Sequence, residues 1–88
     1  MIEVFVRPKP CKMMRLLRDN STTWHLSKLA KNSDCTYVYL KELVQKLEQA
    51  GYLFMEYKGK KRIVRLTEKG LKVANIIEEL SQKIESGN

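Results

Sequence analysis

The sequence predicts an α+β domain in which three helices lead into a β-hairpin and a final helix closes the chain. Three observations point there. Apolar residues recur at helical spacing in three stretches between residues 10 and 50, and two strand-like runs follow, joined by a short linker that contains Gly59. From Thr67 onward the spacing is helical again. At 88 residues, 43% hydrophobic and 31% charged, the chain holds enough apolar material for one modest core and is too short for a multidomain enzyme. No apolar run approaches the roughly 20 residues of a membrane span, so no membrane partner is expected. Glu3 stands where a secretory signal wants a basic and then an apolar stretch, which makes the cytoplasm the expected location.

Each element has its own signals. Ile2 to Val6 alternate and are rich in strand formers, but Pro8 and Pro10 end the run, so residues 1–9 read as an edge strand or arm. Pro10 suits a first helical position, and Met13, Met14, Leu16 and Leu17 then recur with Lys12, Arg15 and Arg18 between them. Asp19-Asn20-Ser21 closes this helix. Thr22-Thr23-Trp24 is a short β-favouring stretch, Leu26, Leu29 and Ala30 mark a second helix of two turns, and Asn32-Ser33-Asp34 is a turn cluster. A third helix runs from a Thr36 cap to Ala50, with Leu40, Leu43, Val44 and Leu47 on one stripe and Gly51 at its stop. Residues 52–57 and 62–66 form the hairpin around 58–61. Thr67 caps the last helix, where Val73, Ile77, Leu80 and Ile84 make a stripe that Leu71, Ala74 and Ile76 broaden. Residues 10–67 thus read as the central domain and 68–88 as an added C-terminal helix.

The charge is uneven. Seventeen Lys and Arg against ten Asp and Glu give +7, and five of those cations (Lys58, Lys60, Lys61, Arg62 and Arg65) crowd into residues 58–65 without an acid. Residues 75–88 carry three glutamates against Lys83. An excess this local points to a polyanion as partner. Catalysis has little to work with: His25 is the only histidine, and there is no phosphate-cradling glycine loop or carboxylate set, so no enzyme, cofactor or metal is expected. Cys11 and Cys35 have neither disulfide-framework nor metal spacing and read as small apolar residues in a reducing compartment. Trp24, Met13, Met14 and Met55 read as core.

Two local stretches, together with the element order, resemble a known group. The first is Trp24-His25-Leu26-Ser27-Lys28-Leu29-Ala30, a tight turn, then Leu40, Val44 and Leu47-Glu48-Gln49-Ala50-Gly51-Tyr52-Leu53; the second is Leu66-Thr67-Glu68-Lys69-Gly70, directly after the hairpin. Over Pro10 to Leu80 the chain resembles winged helix-turn-helix transcription regulators of the MarR and ArsR kind and their archaeal relatives. The resemblance implies a three-helix core with a β-hairpin wing and an extra C-terminal helix, bound to double-stranded DNA as a homodimer. Three positions depart from the common pattern. Asp34 stands where Gly is frequent, though Asp tolerates a left-handed backbone; Cys35 takes the small inward position; and Glu42 replaces a residue that is most often basic.

On that reading the third helix lies in the major groove. With Leu40 at the core centre, Val38, Lys41, Glu42, Gln45 and Gln49 fall on the far face and Tyr37 and Tyr39 on its flanks. Resemblance favours the N-terminal part, so Tyr37, Val38, Tyr39, Lys41, Glu42 and Gln45 form the groove-facing set. Gln45 suits adenine, Glu42 suits cytosine N4, and Val38 suits a thymine methyl. Lys58, Lys60, Lys61 and Arg62 on the wing are expected on phosphates or in the minor groove, with Arg62 and Arg65 extending one basic face along the hairpin. Thr22, Thr23, Ser27 and Lys28 are candidate backbone contacts, and Val73, Ile77, Leu80 and Ile84 a dimer seam. A different reading stays open: Tyr37, Val38 and Tyr39 are an apolar start for a groove reader and suit a winged-helix protein-interaction module of a transcription assembly. No effector ligand is read from the sequence.

Overall fold

The computed structural model describes residues 2–86, and the element order matches the sequence reading except at its N-terminus. In chain order the elements are α1 (Ile2–Phe5), α2 (Pro8–Leu17), α3 (Leu26–Asn32), α4 (Tyr37–Gln49), β1 (Leu53–Lys58), β2 (Lys61–Leu66) and α5 (Glu68–Ser86). The expected edge strand at Ile2–Val6 is instead a helical turn, closed by the Val6 N–H on the Ile2 carbonyl at 3.2 Å. Its alternation finds no strand to pair with. Among the described residues the sheet has only β1 and β2, and the side of β2 away from β1 is taken by a one-residue bridge between His25 and Ile63. Coiling brings Phe5 inward, edge-on to the Tyr52 ring with centroids 5.1 Å apart.

The helix-turn-helix pair is set by its caps. Asp34 does adopt the left-handed backbone, at φ 61, and this turns the chain so that the Cys35 N–H reaches the Ala30 carbonyl at 3.0 Å. The Thr36 hydroxyl then accepts the Tyr39 N–H at 3.1 Å, which starts α4. At the other end Gly51, at φ 88, donates to Glu48 while Tyr52 donates to Leu47, the paired bonds of a Schellman stop. Met13, Met14, Leu29, Leu40 and Leu47 are fully buried where α2, α3 and α4 meet. Truncating any one of them to alanine is expected to cost about 2–5 kcal/mol. Trp24 and both methionines are core, as read from the sequence, and Met55 packs at the core's edge.

The Leu66-Thr67-Glu68-Lys69-Gly70 stretch is a joint. The Thr67 hydroxyl accepts the Gly70 N–H at 3.0 Å and donates to the Gly51 carbonyl at 2.7 Å, the Thr67 N–H donates to the Tyr52 carbonyl, and Lys69 Nζ donates to the Ala50 carbonyl. It therefore fixes the start of α5 against the end of α4. Gly70 packs so closely that a Cβ there would lie 1.9 Å from the Tyr52 oxygen, so only glycine fits. The first half of α5 lies along α2, where Arg15 Nε meets Glu78 at 2.6 Å and Arg18 Nε donates to Asn75 at 2.8 Å. Among the described residues no helix is long and apolar enough to cross a membrane, and no group of His, Cys, Asp or Glu is placed to hold a metal ion.

Candidate nucleic-acid interface

Helix α4 owes its two faces to its periodicity: Leu40, Leu43, Val44 and Leu47 are buried, and the opposite stripe is left to solvent. Val38, Glu42 and Gln45 are exposed, Val38 at 66%. Tyr37 and Tyr39 are 44% and 38% exposed, so each ring covers part of the core edge and presents the rest outward. Five of the six candidate residues divide between two flanks of the helix, with Val38 in neither hollow. Tyr37, Lys41 and Gln45 line the hollows shared with the wing, whereas Tyr39 and Glu42 line a concavity of about 420 Å³ shared with Glu3, Arg7 and Lys46.

The wing is a tight hairpin in which Lys58 pairs with Lys61, leaving Gly59 and Lys60 as its two-residue turn. Gly59 takes φ 62, the positive value that the first central position of a type II′ turn requires. Lys60, Lys61 and Arg62 are exposed and make no ion pair among the described residues, while Lys58 reaches Glu56 at 3.4 Å. The expected continuous basic face along the hairpin does not form. Arg62 and Arg65 are three residues apart, and alternation puts them on opposite faces of the strand. Arg65 turns to Glu56 at 2.7 Å, whose carboxyl that hydrogen bond holds below the usual carboxylate range, while Arg62 stays on the side of α4.

The secondary candidates also separate. Ser27 is exposed and lines a cleft of about 250 Å³ between α3, the start of α4 and the wing tip, together with His25, Tyr37, Lys60, Lys61 and Arg62. Lys28 lies 5.5 Å over the Trp24 ring. Thr22 is half-buried and donates to Asp19 at 3.0 Å, so its hydroxyl proton is engaged within the chain. Thr23 is exposed on the same loop. His25 opens α3 as its N-cap, its Nδ1 accepting the Lys28 N–H. Its place in the cleft comes from the bridge to Ile63, a pairing that no local pattern announces.

The proposed dimer stripe splits. Val73 and Ile77 pack into the chain's own core, whereas Leu80 and Ile84 are 54% and 61% exposed. The last two face an apolar groove of about 630 Å³ bounded by Phe5, Val6, Pro8 and Cys11. Cys11 and Cys35 are free and half-buried, and burial pushes both thiols above their ordinary range. Cys11 donates its thiol to the Phe5 carbonyl.

No family model and no curated protein matches the chain. Solved structures do. The Archaeoglobus fulgidus protein AF1382 superposes with a TM-score of 0.85 at 23% identity over 97% of both chains. SPO1453 of Silicibacter pomeroyi, a MarR family transcriptional regulator, gives 0.80 at 22% identity over 91% of this chain, which spans 57% of its length. Staphylococcus aureus MepR in complex with DNA gives 0.78 at 13% identity, over 98% of this chain and 73% of that one. The chain is a winged helix-turn-helix domain with the architecture found in MarR-family regulators.

Proposed function

We propose that this chain is a sequence-specific double-stranded DNA-binding transcription regulator that works as a homodimer in the cytoplasm, without enzymatic activity. One observation carries the reading: the exposed face of α4 stands beside a wing whose Lys60, Lys61 and Arg62 have no acid paired with them among the described residues. Helix α4 would enter the major groove, with Val38, Glu42 and Gln45 toward base edges and the wing on phosphates or in the minor groove. Structural likeness to a regulator solved in complex with DNA supports it. Residues 10–67 form the DNA-binding part in this reading. Residues 68–88 supply the dimer helix, with Leu80 and Ile84 meeting a second copy across the apolar groove beside Phe5 and Val6.

A second reading has its own observation. Tyr37, Val38 and Tyr39 put a half-exposed apolar patch at the tip of α4, as a protein-interaction module would. One experiment separates the two. Anisotropy of a labelled mixed-sequence duplex across a salt series should show affinity falling log-linearly, with a slope of about −0.9 per neutralised phosphate. A flat response, or no binding, overturns the DNA reading and favours the module.

A further inference from the structure

His25 is the only histidine, and three contacts fix its place. Its extended backbone bridges Ile63, the Val64 N–H donates to the neighbouring Trp24 carbonyl at 2.7 Å, and its Nδ1 accepts the Lys28 N–H at 3.4 Å. The bridge sets the imidazole next to Arg62. There it lines the 250 Å³ cleft with Ser27, Tyr37, Lys60, Lys61 and Arg62. The cleft thus gathers three cations, two hydroxyls and an imidazole from three elements, and no carboxylate lines it. With Nδ1 turned back to the Lys28 N–H, Nε2 is the ring nitrogen left for the cleft.

Donors converging from several directions without a competing acid suit a tetrahedral anion better than a base edge, which is planar and carries acceptors and donors together. We infer that this cleft seats one phosphodiester group of the DNA backbone, with His25 Nε2–H as a donor to it and Lys60, Lys61 and Arg62 as the countercharge. This rests on the DNA-binding reading and adds a residue to it.

Because the chain has one histidine, its imidazole ¹⁵N and ¹H signals are unambiguous, and they are read on the unaltered chain during titration with a mixed-sequence duplex. The Nε2 N–H signal should move downfield and exchange more slowly at saturation. His25→Ser keeps an oxygen for the cap but falls short of the cleft. It should bind duplex about tenfold more weakly, with the thermal midpoint unchanged. Imidazole signals that stay put while wing amides shift would overturn the inference and leave DNA binding standing. Unchanged duplex affinity in H25S would overturn the donor role. An equal response to inorganic phosphate alone would assign the cleft to free anions instead, and an unaltered chain that binds no duplex would overturn both readings together.

Discussion

Two regions of this molecule use the same residue types to opposite ends. At the seam between α2 and α5, Arg15 meets Glu78 at 2.6 Å, Arg18 meets the same carboxylate at 3.7 Å, and the cations hold one helix to another. On the wing, Lys60, Lys61 and Arg62 stand exposed with no acid near enough to pair among the described residues. The first group shares a carboxylate within the chain; the second is left to solvent, open to an anion from outside. The net charge of +7 does not distinguish them. Pairing does, and it is a property of the fold, because the glutamate that neutralises Arg15 lies far along the sequence.

Gly70 joins the two regions, so altering it should have the largest effect. In Gly70→Ala the new Cβ meets the Tyr52 carbonyl oxygen and carbon at 1.9 and 2.9 Å, both backbone atoms that cannot swing aside. A loss of about 3 kcal/mol or more is expected, a fall of roughly 10–20 °C in the thermal midpoint. A midpoint within a few degrees of the parent would show that α5 can tilt off the hairpin without cost. Next comes the wing alone. Replacing Lys60, Lys61 and Arg62 together with alanine should weaken duplex binding about a hundredfold at low salt and reduce the salt slope by about three, for every sequence alike. Stability should hold. Unchanged affinity would place the DNA contact elsewhere.

Much of this was legible in the sequence because it is written locally. The Thr36 cap, Asp34 in the left-handed turn, Gly51 at the stop and Gly59 in the hairpin are each fixed by neighbours within a few residues, and each stands as read. What failed was non-local. Ile2–Val6 has the alternation of a strand, but alternation does not supply a partner, and Phe5 finds more burial on Tyr52 as part of a helical turn. The stripe Val73, Ile77, Leu80 and Ile84 is continuous on a helix, yet the first two pack into the core and the last two are left to the groove. The division of the α4 candidates between two flanks and the arrival of His25 beside the wing also depend on tertiary contacts. The basic run 58–65 does not make one basic face, because strand parity sends Arg65 to Glu56 and away from Arg62.

The exposed end of α5 offers a way to test whether apolar surface there has the role that unpaired charge has at the wing. Leu80→Glu with Ile84→Glu places two carboxylates in a groove whose apolar wall is Phe5, Val6, Pro8 and Ile77, with Lys12 and Arg15 at its side. Because both side chains are more than half exposed, the domain itself should fold as before. A homodimer held there should become a monomer in sedimentation velocity, and binding to a two-fold symmetric site should fall about tenfold or more as the two half-sites lose their linkage. An unaltered chain that sediments as a monomer at all concentrations would remove the dimer from the proposed function.

The smallest effect belongs to the paired seam, and its sign follows from Glu78. The Arg15 hydrogen bond, aided by Gln82 and by the charges of Arg15 and Arg18, holds the Glu78 carboxyl below the usual carboxylate range against the opposing effect of burial. A folded-state value below the unfolded one means that the ionised form is favoured by folding. The contribution is complete above the unfolded value of about 4.3 and is lost as pH falls through the lower folded value. Glu78→Gln should therefore lower the thermal midpoint slightly at neutral pH, and the gap to the parent should close as pH falls below the usual carboxylate range. Asp19 and Glu56 are also held low by their own hydrogen bonds, so the variant keeps part of its acid sensitivity. Duplex affinity at neutral pH should not change by more than about twofold, because the carboxylate that is removed faces α2 and not the wing. A midpoint gap that stays constant with pH would mean that the seam is held by packing, with Arg15 and Glu78 only adjacent.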